Sequence, residues 1–360
     1  MPLRAIINDV DIIAPLLNSE EWEQLKIDIK KNKYFVKLPC CGQQGFLRTS
    51  KTGLNHFYHK HDDKICNWKP ESAEHLKLKY EILKACQESG WTAIPEYSEN
   101  DWRADVFAYN GKNRLAFEVQ LSKQTYEETI ERQNKYTRDK VRGCWFFKKI
   151  LKTADYESNF ILNNKEIPLF ELDLDSNEFR VKFYNRKFVV GDFVKHLLSK
   201  HIKFCSVLRS TLNPKVDLSF FPMSCWRCGK TSHIYYVHNV VNSICDLPIG
   251  INDNGLWSNF KFEYHPQILK KAIEIGNDPT NGIVLGEIKK RASKQAYKSY
   301  MSFGCAYCDS LFGDWFISEA YMECVEDETC INFEMNLNLS KPYEKEYNHW
   351  CFSENNNFCE

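Results

Sequence analysis

The sequence has no excess of charge of either sign: 48 Lys and Arg side chains balance 48 Asp and Glu, for a formal net charge of zero. That balance excludes a strong global attraction to nucleic acid and leaves room only for a local basic groove. It also lacks any apolar run near the roughly 18 residues that a membrane-spanning helix requires. With a mean hydropathy of −0.50, no membrane association is expected. The opening stretch MPLRAIINDVDIIAPLL mixes acids into its apolar residues and shows no small-residue cleavage site. A secretory signal is therefore not expected, and the cytoplasm is the expected location.

What is present is a chain of 360 residues, 43% apolar and 14% aromatic. That is enough to give each of two or three domains a core, which excludes disorder and collagen-like repeats. There are fifteen cysteines. In a reducing compartment they should stay reduced, so those at ligand spacing point to metal rather than to disulfides.

Three regions are expected. Residues 1–67 read as a small module of short strands around PCCGQQGFLRTSKTGLNHFYHKHDDKIC, with a helix near Glu20 to Lys31. Residues 68–185 read as a mixed α/β domain. Within it, PESAEHLKLKYEILKACQESG has helical composition and stops at Gly90, a C-cap candidate. WRADVFAY and RLAFEVQLS alternate polar with apolar residues around NGKN, a hairpin signal. Thr125 and Glu128 form a capping-box pattern that opens TYEETIERQNKYTRDK, and GCWFFKK and IPLFELD read as buried strands. Residues 186–360 form a Cys-rich C-terminal domain without a clear repeat.

The hairpin turn sets which residues oppose each other. A four-residue loop, Asn110 to Asn113, puts Asp105 directly across from Glu118; a two-residue loop leaves them diagonal on one face. Opposed carboxylates repel, and a divalent cation between them removes the cost; oxygen donors on strands suit Mg²⁺ or Mn²⁺. The alternative is a solvated pair matched to Arg103 or Lys112. Gln120 follows on Glu118's face. On the preceding helix, Glu74, Lys77, Glu81, Lys84 and Glu88 form the solvated stripe. Glu71 and His75 instead share the row of Leu78, Ile82 and Cys86, either as a buried hydrogen-bonded pair or as groups that reach a metal-bound water or a phosphate. Arg132 and Tyr136, four apart on the later helix, suit phosphate contact and stacking.

In the last region, Cys225 with Cys228 and Cys305 with Cys308 are two CxxC knuckles able to share one structural Zn²⁺, given a long insertion between them. Unligated packing or a redox pair are the alternatives, and His233, His238 and Cys245 are possible replacement ligands. Near the N-terminus, Cys41, His59 and Cys66 with either Cys40 or His56 offer a second zinc set. FKFEYH and RASKQAYKSYMSFG interleave aromatic with basic residues, as a single-strand binder or as ordinary core strands and a solvated helix.

As an ordered set, ESAEH with Lys79, RADV, FEVQLS, and ERQNKY followed by GCWFF resemble the CoiA-like competence protein family. The resemblance is close over roughly residues 30 to 150 and looser in the Cys-rich part. It implies a restriction-endonuclease-like PD-(D/E)xK fold, an α/β mixed sheet flanked by helices, between N- and C-terminal zinc-binding modules. It implies metal-dependent hydrolysis of DNA in processing, recombination or defence, with Asp105 and Glu118 as Mg²⁺ ligands and Glu71 and His75 in the acidic motif. Recombination or defence proteins are the implied partners. PCCG, HFYH and the following Cys look like the family's zinc module, which adds support to an N-terminal zinc site, with Cys40, Cys41, His59 and Cys66 the expected ligands. One position departs from the nuclease superfamily: Gln120 stands where its ExK lysine is usual, and Lys79 or Lys123 is a candidate substitute. That departure keeps a second reading open, a non-catalytic, zinc-stabilised scaffold that binds nucleic acid.

Overall fold

The computed structural model of the chain describes residues 2–59, 71–149, 163–174, 178–238, 242–247, 249, 265–293 and 297–360. Two compact units result, Met1–Phe204 with Asn348–Asn356, and Cys205–Tyr347 with Asn357–Glu360.

The first unit opens with β1 (Arg4–Ile7), β2 (Val10–Ile13), α1 (Ser19–Asn32), β3 (Val36–Lys37), β4 (Gly45–Thr49) and β5 (Asn55–His59). Asn18 and Glu21 close a capping box at the start of α1, so the helix begins within a residue or two of where composition put it. β1, β2 and β3 pair in the order β2-β1-β3, and β4 pairs with β5. Ala5, Ile7, Trp22, Val36, Leu38 and Phe57 close a small core between them.

There follow α2 (Ala73–Glu88), β6 (Thr92–Pro95), β7 (Ser98–Glu99), β8 (Trp102–Arg103), β9 (Val106–Asn110), β10 (Asn113–Gln120), α3 (Tyr126–Arg138), β11 (Arg142–Phe147), β12 (Leu169–Asp173), β13 (Arg180–Phe183), β14 (Arg186–Val189) and α4 (Val190–Leu198). Seven strands form one sheet in the order β14-β13-β12-β11-β10-β9-β6. β10, β11 and β12 run parallel, and the outer pairs are antiparallel. A parallel centre must be covered on both faces, which is why RGCWFF is almost continuously apolar. Cys144 and Phe146 pack with Leu78 and Ile82 of α2 and Phe193 of α4. Trp145 and Phe147 pack on the other face with Tyr136 of α3. The mixed α/β sheet with flanking helices is the expected architecture.

Two features shift the expected boundaries. β14 pairs along its whole length with β13, and α4 buries Val190, Phe193 and Val194 in the same core. The sheet domain therefore continues past residue 185 to Phe204. The N-terminal segment also belongs to this unit, tied in where the amide of Leu3 donates to Glu96 at 2.9 and 3.1 Å.

In the second unit the strands Lys215–Ser224, Thr231–His238 and Ile331–Asn336 form an antiparallel sheet. Phe220 and Tyr235 pack there with Ile268 of the helix Pro266–Asn277 and with Phe303. In and beside RASKQAYKSYMSFG, the strand Lys289–Ser293 pairs antiparallel with Lys298–Ser302, in place of the expected helix; residues 294–296 lie outside the described residues. Residues 260–264 of FKFEYH lie outside the described residues. Cys324 and Cys330 are joined as a disulfide, an exception to the expected reduced state. No helix among the described residues is long and apolar enough to cross a membrane.

Candidate active site and metal centres

The hairpin register is the one that the four-residue reading required. Arg114 opposes Tyr109 and Phe117 opposes Val106, so the next pair along is Glu118 with Asp105. The loop itself tightens to Gly111 and Lys112, with Gly111 at φ 58°, a conformation that glycine adopts without steric cost. Asp105 sits just before β9, and its Oδ2 accepts the amide of Val119 at 2.8 Å.

The carboxylates turn toward different helices. Asp105 takes His75 Nε2 of α2 at 3.2 Å. Glu118, with no exposed surface, follows Ala116 onto the α3 face and accepts from Arg132 and from the hydroxyl of Tyr136. The expected repulsion is thus relieved by protein side chains, His75 at Asp105 and Arg132 with Tyr136 at Glu118, and not of necessity by a metal. Neither acid belongs to a group of three or more His, Cys, Asp or Glu ligand atoms within 4.8 Å among the described residues.

Burial pushes Glu118 up to about 7, against the lowering by Arg132. Burial also disfavours ionised Asp105, but the His75 hydrogen bond and charge, then Lys79 and the Val119 amide, outweigh it and hold the carboxyl below its usual range. His75 answers in the opposite sense: burial disfavours its cation, yet Asp105 and Glu71 raise its pKa. Arg132 lies 4.9 Å over the Trp145 ring and donates to Gln124 Oε1 at 3.2 Å. The Tyr136 hydroxyl also lies 2.8 Å from the carbonyl of Arg103, so its single proton is shared between that oxygen and Glu118.

Glu71 and His75 do face inward with Leu78, Ile82 and Cys86, but they are not paired with each other. Glu71 binds Lys79 Nζ at 2.7 Å. Lys79 has no exposed surface, and its second partner, Glu96 Oε1 at 2.6 Å, is a residue that the sequence did not single out. Burial would drive the ammonium toward the amine, but Glu96 and then Glu71 hold its pKa above the ordinary value. Gln120, half-buried at the end of β10, carries no charge, and Lys123 is exposed. Lys79 is therefore the ammonium that shares this cluster.

The four knuckle cysteines converge. Cys225 Sγ is 3.5 Å from Cys308 Sγ, and Cys228 Sγ is 3.6 Å from Cys305 Sγ. A tetrahedral ion with Zn–S bonds of about 2.3 Å needs sulfurs about 3.8 Å apart. Each knuckle is a hairpin turn closed by a left-handed residue, Gly229 at φ 72° and Asp309 at φ 59°. Each donates an amide to its first sulfur at 3.4 Å, from Arg227 and from Tyr307. Arg291 braces the second knuckle, donating to the carbonyls of Ser302 at 2.7 Å and Asp309 at 3.3 Å. His233 and Cys245 are not part of this cluster: His233 Nδ1 accepts the Val284 amide at 3.0 Å, and Cys245 Sγ is 3.5 Å from Cys359 Sγ. The side chain of His238 lies outside the described residues.

Cys40, Cys41 and His59 also converge, with His59 Nε2 at 3.3 Å from Cys40 Sγ and Nδ1 at 3.9 Å from Cys41 Sγ. Cys66 lies outside the described residues. His56 is excluded, because residues three apart on a strand project to opposite faces. It is buried, with Nδ1 at 3.1 Å from the Leu54 carbonyl, and burial lowers its pKa. His59→Ala is therefore expected to remove zinc from the N-terminal set while His56→Gln retains it, as elemental analysis of the purified variants would show. Equal zinc loss from both variants would contradict this ligand assignment.

Residues 71–203 match the family model for the nuclease-like domain of competence protein CoiA. No curated protein and no solved structure matches the chain. The matched segment runs from Glu71 at the head of α2 to just short of Phe204, and it contains Lys79, Glu96, Asp105, Glu118, Gln120, Arg132 and Tyr136.

Proposed function

We propose, from the match of residues 71–203 to the nuclease-like domain of competence protein CoiA, that the chain is a metal-dependent nuclease acting on DNA, with Asp105 and Glu118 as the metal-holding carboxylates. The observation that carries this reading is the concentration of shielded ionisable groups at the β9–β10 ends: Glu118, Asp105 and Glu71 with His75, Lys79 and Arg132. Displaced protonation equilibria of this kind collect at sites that do chemistry. The oxygen donors suit Mg²⁺ or Mn²⁺. A divalent ion bound there supplies an activated water and offsets phosphate charge in an in-line displacement.

The residues divide the remaining work. Arg132 leaves Glu118 for the phosphodiester backbone, and Tyr136 keeps Glu118 oriented through its hydroxyl. Gln120 orients the attacking water. Lys79 supplies the positive charge that Gln120 lacks, Glu71 completes the acidic set, and His75 holds Asp105 through its hydrogen bond. The Cys225, Cys228, Cys305, Cys308 set and the Cys40, Cys41, His59 set, with Cys66, hold structural Zn²⁺.

A second reading, a non-catalytic scaffold that binds nucleic acid, is favoured by one observation: both carboxylates already have protein side chains as partners, His75 for Asp105 and Arg132 for Glu118. Calorimetric titration with Mg²⁺ or Mn²⁺ separates the two. Because a pKa of about 7 leaves Glu118 largely protonated below neutrality, cation uptake must expel a proton there. Affinity is expected to rise from pH 6 to pH 8 and then level off. The sign for stability agrees: a carboxyl whose folded pKa is raised helps the metal-free fold at low pH and loses that contribution as pH rises through about 7. Cation binding that ignores pH, or none at all with DNA affinity retained, selects the scaffold.

A further inference from the structure

Glu96 has no place in the proposed chemistry, yet it is 2% exposed and stands at φ 55°, a left-handed conformation that costs a non-glycine residue energy. Its amide donates to the carbonyl of Asp105 at 2.9 Å. Its carboxylate takes Lys79 Nζ at 2.6 Å and the amide of Leu3 at 2.9 and 3.1 Å. Leu3 is itself fully buried, and its carbonyl accepts the amide of Ala14 at 2.9 Å. One residue earlier, the carbonyl of Pro2 accepts the amide of Phe57, on β5, at 2.8 Å. β5 ends at His59, one of the three converging metal-ligand candidates.

A buried ion pair is a weak source of net stability, since apolar side chains of the same volume serve as well. A strained, buried acid bonded to both the backbone of Asp105 and the ammonium of Lys79 is better explained by geometry that has to be held. We infer that Glu96 is a positioning residue of the phosphodiester site: it fixes Lys79 beside Glu71 and Asp105, and the Leu3 amide makes that placement depend on the folded N-terminal segment. The inference rests on the nuclease reading for its catalytic consequence, but the latch itself can be measured without cleavage.

The test uses the full-length, zinc-loaded chain with Glu96→Gln, Glu96→Asp and Glu96→Ala. Glu96→Gln keeps the shape and an acceptor for Leu3 but loses the charge that orients Lys79. It is expected to lower kcat for Mg²⁺-dependent DNA cleavage by about tenfold or more with KM within about twofold. Glu96→Asp, which retains the charge, is expected to recover part of that loss. Glu96→Ala is expected to speed hydrogen exchange of the Leu3 amide by about tenfold or more, read by NMR in the absence of substrate. A folded Glu96→Gln protein with wild-type kcat overturns the catalytic part. Unchanged Leu3 exchange in Glu96→Ala overturns the latch. If the wild-type chain cleaves no DNA with any divalent ion, the nuclease reading fails and the exchange measurement alone decides the latch.

Discussion

Asp105→Asn combined with Glu118→Gln is expected to abolish metal-dependent DNA cleavage, a fall of about a thousandfold or more in kcat/KM, while the chain stays folded. The amides are near-isosteric with the acids. The side-chain carbonyl introduced at position 105 can still accept the Val119 amide, and the one introduced at position 118 can still accept from Arg132 and Tyr136, so the hydrogen bonds that hold β9 and β10 survive. What disappears is the charge that a hard dication needs. The alanine pair Asp105→Ala and Glu118→Ala should lose the same activity and also some stability. Removing Glu118 leaves the guanidinium of Arg132 and the hydroxyl of Tyr136 facing a buried gap, and removing one member of a buried charge pair costs more than the pair contributes. Arg132 is about one-third exposed, which softens the penalty. The check is cleavage of end-labelled single-stranded and duplex DNA with Mg²⁺ or Mn²⁺, alongside circular dichroism. Cleavage at the wild-type rate by the folded double variant removes these acids from the mechanism.

The second large effect belongs to the knuckles. Stripping zinc with a chelator, or combining Cys225→Ser with Cys308→Ser, is expected to collapse the second unit, because Cys225 and Cys305 are both part of its apolar core. Zinc binding at such sites is folding free energy, on the order of 10 kcal/mol at neutral pH, more than most single units have in reserve. Hydrogen exchange should lose protection at Phe220, Tyr235 and Phe303, and elemental analysis should show one zinc fewer per chain. Retained protection after quantitative zinc removal means that the sulfurs are packing groups.

Much of this was legible in the sequence because it depends on local rules. The capping box at Thr125, the Gly90 stop, the turn at Gly111 and the two CxxC hairpins are each set by a few neighbouring residues, and each forms as its chemistry dictates. Counting around that turn puts Asp105 and Glu118 on one face, either opposed or diagonal, and the pairing of Arg114 with Tyr109 selects the opposed register. Which way their carboxylates point does not follow from counting, because it depends on α2 and α3 bringing His75, Arg132 and Tyr136 from elsewhere in the chain. Glu96 was missed for the same reason: next to Pro95 it reads as a turn residue, and only the long-range approach of Lys79 and Leu3 gives it a role. His56 and His59 show the cost of ignoring period. The spacing HxxH clusters on a helix, but on the strand that formed it divides the two rings between opposite faces.

The Leu3–Glu96 bond has a practical corollary for anyone excising the nuclease-like domain. A fragment begun at Glu71, where similarity to the family starts, would discard the backbone amide that the Glu96 carboxylate engages. The freed oxygens would be left to water or to Lys79 alone. Its poor expression would then report a bad cut, and the sound excision keeps residues 2–204 together with 348–356, whose Phe352 is buried in the same core.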